Sequence, residues 1–330
     1  MDDLDKRILT EMQADLPVAR RPFDALAERL GLAPADVLAR VGRMAGEGLI
    51  RRIGPVFDSK RLGYASTLVA ARVPAERLER VAGRITRLPG VTHNYERGGP
   101  YNLWFTLTAP SAEALAETLA HLRTETGLEA MHSLPALERY KIRATFDLTG
   151  NAAPTTPAPP HAPPDAPSPI RLTDSQKALV RAIQDGLPVE VEPFAAVAEA
   201  AGWPVPDVIN QVRAWLTDGV IRRFGAVIRH REAGVRAGGM AVFHVPDARV
   251  DEAGHALAGN AAVTHCYRRP PLPDFPYNLY AMVHGDSEYA VRERVADMAR
   301  TIGAAACDVL FSGREFKKTS MRYFTEPSAG

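Results

Sequence analysis

The sequence has little of what marks secreted or membrane proteins. Its 330 residues include two cysteines, Cys266 and Cys307, and neither belongs to a C-x-x-C motif. Two isolated cysteines cannot form a structural zinc site, and free thiols are typical of a reducing compartment. No run of about 18 apolar residues is present, so no membrane span is expected. The start, M-D-D-L-D, is acidic where a signal peptide would be basic, which predicts a cytoplasmic protein.

The chain contains the same sequence pattern twice, once on each side of a proline-rich segment. The segment 151–170 contains eight prolines and is typical of a semi-rigid linker that cannot bury a core. On one side of it, E-G-L-I-R-R-I-G begins at Glu47, and on the other side D-G-V-I-R-R-F-G begins at Asp218. This spacing is far longer than a solenoid repeat, so it predicts a tandem duplication of a two-domain protein.

Each half begins with three short amphipathic helical patterns and an extended segment, which is residues 49–57 in the first half. Interpreted as a hairpin, that segment completes a winged helix-turn-helix. The remainder alternates strand and helix in the βαββαβ order of a ferredoxin-like domain, with a closing strand expected within residues 136–148. Each sheet needs a cover, and we expect the halves to pair through their sheets as a pseudo-twofold dimer within one chain.

The predicted fold class is therefore α+β, with five segments along the chain. These are a winged helix-turn-helix at 1–63, a ferredoxin-like domain at 64–150, the linker at 151–170, a second winged helix-turn-helix at 171–236 and a second ferredoxin-like domain at 237–330. Further homo-oligomerisation is compatible with this plan.

The charge distribution tests whether the helix-turn-helix regions read DNA. The whole chain carries a formal charge of +1. Residues 1–50 contain nine acidic and seven basic residues, and residues 171–221 contain seven acidic and four basic ones. Affinity for DNA depends largely on cations placed against phosphates. These acidic segments weigh against DNA as a partner.

Positive charge collects instead where the two domains of each half meet. Arginine pairs with carboxylates in a bidentate geometry, so such clusters suit a small ligand that carries several carboxylates. A merely solvated wing is the alternative. The candidate substrate-binding residues of these clusters are Arg51, Arg52, Arg222, Arg223 and His230.

The most informative repeat is a V-T-H-x-Y block followed by a P-Y-N-L block. Its alternation is typical of a strand, in which residues two apart share a face. A polar face that is merely solvated is one interpretation, but the exact repetition favours a surface that binds a ligand. The candidate residues are His93, Tyr95 and Arg97 in the first half and His265, Tyr267, Arg268 and Arg269 in the second.

These residues carry a resemblance to known families. The domain order and E-G-L-I-R-R resemble the Lrp/AsnC regulators. The blocks V-T-H-N-Y-E-R…P-Y-N-L-W-F and V-T-H-C-Y-R-R…F-P-Y-N-L-Y are similar to the sirohaem decarboxylases, which use the Lrp scaffold as an enzyme. Those enzymes occur as two related subunits, and this chain resembles both fused through the linker. The resemblance covers nearly everything outside residues 151–170.

The resemblance implies a carboxy-lyase. Its reaction would remove CO2 from the acetate groups at C12 and C18 of sirohaem to give 12,18-didecarboxysirohaem, which leads toward haem d1 in denitrifiers and toward protohaem in other organisms. No cofactor is implied beyond the iron tetrapyrrole substrate, and other enzymes of tetrapyrrole synthesis become candidate partners. The alternatives are a ligand-sensing transcription regulator and a haem-binding or delivery protein.

Roles for the repeated residues follow from that chemistry. Histidine has an ordinary pKa of about 6.5 and can donate a proton at neutral pH. His93 and His265 are therefore the expected proton donors, with Tyr95 and Tyr267 as helpers and the arginines as carboxylate clamps. Either histidine could instead be an axial ligand of the substrate iron. The second half is favoured as the more complete anion site, because it has Arg268 at the position that Glu96 occupies in the first half.

Overall fold

A computed structural model describes residues 1–142, 169–228 and 237–325. The predicted linker lies almost entirely outside these residues. The chain forms two compact units, and each draws on both halves of the sequence. We call them the helical unit, with described residues 1–63, 169–228 and 322–325, and the sheet unit, with described residues 64–142 and 237–321.

The first half begins with the three predicted helices, which are α1 (Asp3–Ala14), α2 (Pro22–Leu30) and α3 (Pro34–Gly46). Asp2 and Asp5 form a reciprocal capping box that satisfies backbone N–H groups at the start of α1. Gly31 ends α2 with a φ of 70°, a left-handed conformation that glycine adopts without strain.

Within residues 50–142 the structure has six strands and two α-helices. They are β1 (Ile50–Phe57), β2 (Ala65–Ala71), α4 (Leu78–Thr86), β3 (Val91–Arg97), β4 (Leu103–Ala109), α5 (Ala112–Thr126), β5 (Met131–Leu134) and β6 (Glu138–Ile142).

The described residues of the second half repeat this order with one strand fewer. Its elements are α6 (Asp174–Ile183), α7 (Phe194–Ala201), α8 (Val205–Thr217), β7 (Ile221–Ile228), β8 (Ala237–His244), α9 (Val250–Gly259), β9 (Val263–Arg268), β10 (Leu279–Gly285), α10 (Glu288–Ile302) and β11 (Ala306–Lys318). The long strand β11 occupies the place of both β5 and β6.

The hairpin predicted at residues 49–57 is a single strand, so that prediction was wrong. β1 pairs antiparallel with β7, the same segment of the other half, and Gly54 lies opposite Gly225. A Cβ on Gly225 would lie 2.1 Å from the carbonyl oxygen of Met12, so glycine is needed for the close approach of α1. The strand finds its partner in the other copy, which a local pattern cannot show.

The βαββαβ order is confirmed in both halves, with strand orders β5-β2-β4-β3 and β11-β8-β10-β9. The closing strand was placed wrongly, because β5 closes the first sheet and β6, within the predicted range, pairs with β9 of the second half. The distal part of β11 pairs in turn with β3, with Lys318 opposite His93. Each half therefore completes an open edge of the other half's sheet.

The cores of the sheet unit show how the halves pair. One core lies between the first sheet and its helices and includes Val91 and Phe105, and an equivalent core in the second half includes Val263. A third core contains Trp104 from β4 together with Tyr280 from β10. We call the surface that carries it the inter-sheet face, and it confirms the expected pairing of halves. None of the helices in the described part of the chain is long and apolar enough to span a membrane.

Candidate active site

The repeated histidines and tyrosines lie side by side on the inter-sheet face. The ring centroids of His93 and Tyr95 are 6.2 Å apart with an interplanar angle of 30°. Those of His265 and Tyr267 are 6.4 Å apart at 22°. In register, Tyr95 lies opposite Trp104, a residue of the shared core, which places this strand face toward the other half. The two halves thus present matching His–Tyr pairs.

A β-bulge determines how each histidine is held. On β9 and β10, Met282 pairs with His265 and Val283 with Val263, so Thr264 is the extra residue. A bulge can re-aim a side chain, and bulges are common beside active sites. Here it lets adjacent side chains meet, because Thr264 Oγ1 lies 3.0 Å from His265 Nδ1.

The first half has the same irregularity between Val91 and Asn94. There, Thr92 Oγ1 lies 2.9 Å from His93 Nδ1. In both halves the threonine hydroxyl therefore orients the imidazole through Nδ1.

Arg97 and Arg269 are buried behind the tyrosines. The guanidinium carbon of Arg97 lies 5.4 Å from the centre of the Tyr95 ring, and its Nη1 donates to the carbonyl oxygen of Leu310 at 2.8 Å. Arg269 lies 5.0 Å from the Tyr267 ring and donates to the carbonyl oxygen of Leu134. Burial lowers the pKa of Arg97 to about 10 and also lowers the pKa of Arg269. These contacts support the tyrosines and join the halves, and they leave the guanidiniums poorly placed to clamp a ligand.

Arg268 is not brought to the His265 face. It alternates with Tyr267 along β9 and forms ion pairs with Asp247 at 3.3 Å and Asp251 at 3.9 Å. Its first-half counterpart Glu96 is paired with Arg314 at 2.6 Å. The difference at these positions therefore does not make the second half the better anion site.

The turn between β9 and β10 (residues 269–278) is longer than the turn between β3 and β4 (residues 98–102), and it contacts the first half. Its Phe275 is buried, with ring centroids 5.8 Å from Trp104 and 5.9 Å from Tyr101. The Tyr101 hydroxyl donates to Asp274 at 2.6 Å, and Arg72 pairs with the same carboxylate. Burial and the bond to Asp274 raise the pKa of Tyr101 to about 12. The extra residues therefore make the two halves of the inter-sheet face unequal.

The sequence reasoning missed Tyr280, whose P-Y-N-L-Y motif suggested only a strand. Tyr280 lies opposite Tyr267 in register and is 2% exposed. Among the described residues its hydroxyl has no hydrogen-bond partner, whereas the equivalent Trp104 donates from Nε1 to the carbonyl oxygen of Tyr101 at 2.7 Å. Burying an unpaired hydroxyl is unfavourable, so this phenol is a candidate contact for a bound ligand.

Two further cations that were missed lie beside the His–Tyr pairs. Lys318 on β11 is exposed and lies opposite His93. Arg139 on β6 lies opposite Tyr267. Residues directly opposite on neighbouring strands share a face, so both side chains border the candidate site. The motifs E-R-Y-K-I and E-F-K-K contained this charge, but the strand exchange that places it was not predicted.

The predicted arginines of the helical unit divide into two kinds. Arg52 Nη1 donates to the carbonyl oxygens of Pro55 at 2.9 Å and Gln184 at 2.8 Å. Arg223 Nη1 makes the reciprocal bonds, to Ala226 at 3.1 Å and to Gln13. Burial lowers the pKa of Arg223 to about 10 and lowers that of Arg52. The second arginine of each Ile-Arg-Arg thus holds a helix of the other half.

In the second half the first arginine of Ile-Arg-Arg, Arg222, is more exposed than Arg223. Arg51 is half-buried, and Arg222 is exposed with its Nη2 donating to the carbonyl oxygen of Phe57 at 3.1 Å. His230 lies outside the described residues. Within residues 1–142, 169–228 and 237–325, no group of three or more His, Cys, Asp or Glu side chains is placed to hold a metal ion.

Comparison with known proteins agrees with this arrangement. A family model described as the AsnC-like ligand binding domain matches residues 61–141 and 232–317. A second, described as the siroheme decarboxylase NirDL-like HTH domain, matches residues 5–51 and 176–222. The fold and the paired hairpins thus define a duplicated protein of the AsnC-like ligand-binding class.

Full-length relatives narrow that class. The chain is 33% identical over 324 residues to a siroheme decarboxylase of Hydrogenobacter thermophilus (97% of this chain and 95% of that protein). It is 39% identical over 324 residues to the siroheme decarboxylase NirDL subunit of Paracoccus denitrificans, with 96% of each covered. A crystal structure of the siroheme decarboxylase NirDL in co-complex with an iron-uroporphyrin III analogue matches with a TM-score of 0.75 and 30% identity, covering 98% of this chain and 95% of that one. The chain belongs to the siroheme decarboxylase family.

Proposed function

We propose that this chain is a sirohaem decarboxylase that converts sirohaem to 12,18-didecarboxysirohaem. The single observation that carries the proposal is the pair of matching His–Tyr hairpins on the inter-sheet face, in a chain whose relatives over its full length bear that name. The solved relative that was crystallised with an iron-uroporphyrin analogue supports a tetrapyrrole substrate.

The reaction needs one proton for each CO2 released. The bond between the acetate carboxylate and its CH2 group breaks, CO2 leaves, and the electron pair remains on carbon, where it is delocalised into the macrocycle. A proton then joins that carbon to form a methyl group. An imidazole can supply it, and a positioned general acid typically contributes about 10²–10⁴-fold to a rate.

His93 and His265 are the proposed acids. Each is held at Nδ1 by a threonine hydroxyl and stacks on a tyrosine, so its orientation is fixed from two sides. Tyr95 and Tyr267 act as positioning residues, and each is supported in turn by a buried arginine. The alternative role of either histidine as an axial ligand to the substrate iron stays a prediction.

A substrate with many carboxylates requires several cations for its binding. In the sheet unit, the register places Lys318 beside His93 and Arg139 beside Tyr267. In the helical unit, Arg52 and Arg223 are the deeply buried arginines that hold backbone carbonyls. Arg51 and Arg222 stay the predicted clamps, and Arg222 also contacts the carbonyl oxygen of Phe57 at 3.1 Å and Asp58 at 3.9 Å. We assign carboxylate binding in the sheet unit to Lys318 and Arg139, and the clamp role of Arg51 and Arg222 stays a separate prediction.

The helical unit adds an argument against a DNA-reading role. Arg40 and Arg43, both on α3, form ion pairs at 2.8 Å with the buried carboxylate of Asp5. Arg40 also pairs with Asp2, and Arg43 with Glu47. Arginines whose charge is neutralised by carboxylates of the same domain are less available to bind DNA phosphates.

The test is anaerobic incubation of the purified chain with iron sirohaem, with the product analysed by mass spectrometry. The proposal expects loss of two CO2 molecules per macrocycle. Binding of sirohaem without any change in its mass would instead support a haem-binding or delivery protein. A salt-sensitive shift of duplex DNA, without decarboxylation, would support a regulator.

A further inference from the structure

The threonines that contact the two proposed catalytic histidines have different second partners. In the second half, Thr264 Oγ1 lies 3.0 Å from His265 Nδ1 and 2.9 Å from His284 Nε2. A hydrogen-bonded chain therefore runs from one imidazole through a hydroxyl to a second imidazole. His284 stands near the end of β10 and is partly exposed, so the chain links the inter-sheet face to the margin of the sheet.

Local backbone structure builds this chain. The bulge at Thr264 brings the hydroxyl between the two rings. On the neighbouring strand, Gly238 lies opposite His284, and a Cβ at that glycine would be 3.0 Å from Nδ1 of the ring. The Arg294 guanidinium donates to the His284 carbonyl oxygen at 2.7 Å. Gly238 thus leaves room for the His284 ring because it has no side chain, and Arg294 fixes the His284 backbone.

The first half has no imidazole in this place. Thr92 Oγ1 contacts His93 Nδ1 at 2.9 Å, and its second contact is Thr106 Oγ1 at 2.7 Å. The position equivalent to His284 is Thr108, because Thr108 N–H bonds to Gly90 as His284 N–H bonds to Ala262. The two halves therefore differ in the second partner of the threonine, which is a hydroxyl for Thr92 and an imidazole for Thr264.

We propose that Thr264 and His284 position His265 and set its tautomer, an inference that rests on the proposed function. In its protonated acid form, His265 donates from Nδ1–H to Thr264 Oγ1, and that hydroxyl donates to the unprotonated Nε2 of neutral His284. The proton available for transfer is then on His265 Nε2, the nitrogen turned away from Thr264, and the neutral ring that remains after transfer is the Nδ1–H tautomer. Burial lowers the pKa of His284, which favours the neutral ring. Thr264 and His284 are positioning residues, because their effect passes through His265.

The experiment compares Thr264→Val, Thr264→Ser and His284→Ala with wild-type full-length chain. Removing the outer partner of a functional histidine typically costs roughly 10–100-fold in activity, by analogy with metal-bound histidines. We expect Thr264→Val and His284→Ala to lower kcat by that factor with KM and sirohaem binding unchanged, and Thr264→Ser to restore the rate. His121→Gln, an exposed histidine on α5 with a side chain 69% exposed, is the matched control and should behave as wild type.

Nitrogen NMR of the histidine rings provides a second readout that needs no turnover. We expect the His265 signal, identified by its loss in His265→Gln, to show the Nδ1–H tautomer of the neutral ring in wild type and a mixture of tautomers in Thr264→Val. An Nε2–H tautomer of the neutral ring in wild type, an unchanged kcat in both deletions, or a Thr264→Ser variant as slow as Thr264→Val would overturn the proposal. If the wild type released no CO2, the function would fail, and the tautomer would still decide the positioning role.

Discussion

Arg97 donates a hydrogen bond of 2.8 Å from Nη1 to the carbonyl oxygen of Leu310, so a side chain from the first His–Tyr hairpin ends on the backbone of the second half. Arg269 makes the reciprocal bond to Leu134. The arginines that the sequence suggested as clamps thus connect the halves and support the tyrosine rings. The same two arginines therefore support the candidate active site and join the two halves of the chain.

Replacing Arg97 by Met should lower the free energy of unfolding by about 1.5–3 kcal/mol, since a hydrogen bond from a charged donor is lost and a buried carbonyl loses its partner. Denaturant unfolding followed by circular dichroism measures this. The control is Arg314→Met, whose ion pairs with Glu79 and Glu96 are exposed and should contribute much less to stability. Equal effects of the two changes would contradict the structural role of Arg97.

The two arginines of each Ile-Arg-Arg should respond differently to mutation. Arg222→Ala should weaken sirohaem binding by roughly 10–100-fold, the equivalent of one charged hydrogen bond, with little effect on stability. Arg223→Ala should mainly destabilise the fold, because it frees the carbonyls of Ala226 and Gln13. Spectroscopic titration with sirohaem and denaturant unfolding separate the outcomes. Unchanged affinity in Arg222→Ala and Arg51→Ala would mean that these residues do not bind the substrate.

The helical unit should lose stability in acid through Asp5. Burial by itself would raise the pKa of Asp5, but hydrogen bonds from Arg43, the Asp2 backbone and Arg40 outweigh it and lower that pKa. The bond to Arg40 also lowers the pKa of Asp2 to about 2. A lowered carboxyl pKa stabilises the fold above its unfolded value, about 3.9 for aspartate. That contribution should disappear as the pH falls from about 4 toward 2.

Asp5→Asn should therefore cost about 1.5–3 kcal/mol at neutral pH and show a shallower loss of stability in acid. Unfolding curves from pH 7 to pH 2 measure both effects. Asp24→Asn serves as control, since that carboxylate pairs with the exposed Arg21 at 3.1 Å. An acid profile of Asp5→Asn that parallels wild type would remove Asp5 from this account.

Local sequence signals predicted the parts of the fold that depend on local chemistry. The alternation around His93 and Tyr95 predicted a strand with both rings on one face, and Gly31 marked the end of α2. The partners of exchanged strands were not predictable in this way. Residues 50–57 have the same pattern whether they fold back on themselves or pair with β7, and the choice depends on a copy 171 residues away.

The candidate site shows the same limit. Sequence identifies arginine as a cation but not whether it is buried, so Arg97 and Arg269 resembled ligand clamps. Their carbonyl partners lie in the other half of the chain. Conversely, Lys318 and Tyr280 were not predicted. Lys318 lies opposite His93 only because the strands are exchanged between halves, and the motif around Tyr280 indicated a strand but not a buried hydroxyl without a hydrogen-bond partner among the described residues. His265 and its neighbours were predictable because the repeat displayed them twice.

The exchanged strands make the halves mutually dependent. Co-expression of residues 1–156 with 168–330 should give a stable one-to-one complex that still acts on sirohaem, because β6 and β11 each complete the other half's sheet. Either half alone should aggregate or self-pair through the exposed edge. Sedimentation and activity assays measure this. Two soluble, monomeric and fully active halves would refute a shared inter-sheet site.

The central claim is that the paired histidines deliver the protons that follow CO2 loss. It is tested most directly by single-turnover incubation of wild type, His93→Ala and His265→Ala with iron sirohaem, with substrate and products followed by mass over time. We predict that wild type loses two CO2 molecules, and that each variant binds sirohaem but slows at least one of the two losses by roughly 10²–10⁴-fold. Full loss of both CO2 molecules at the wild-type rate in both variants would contradict the account.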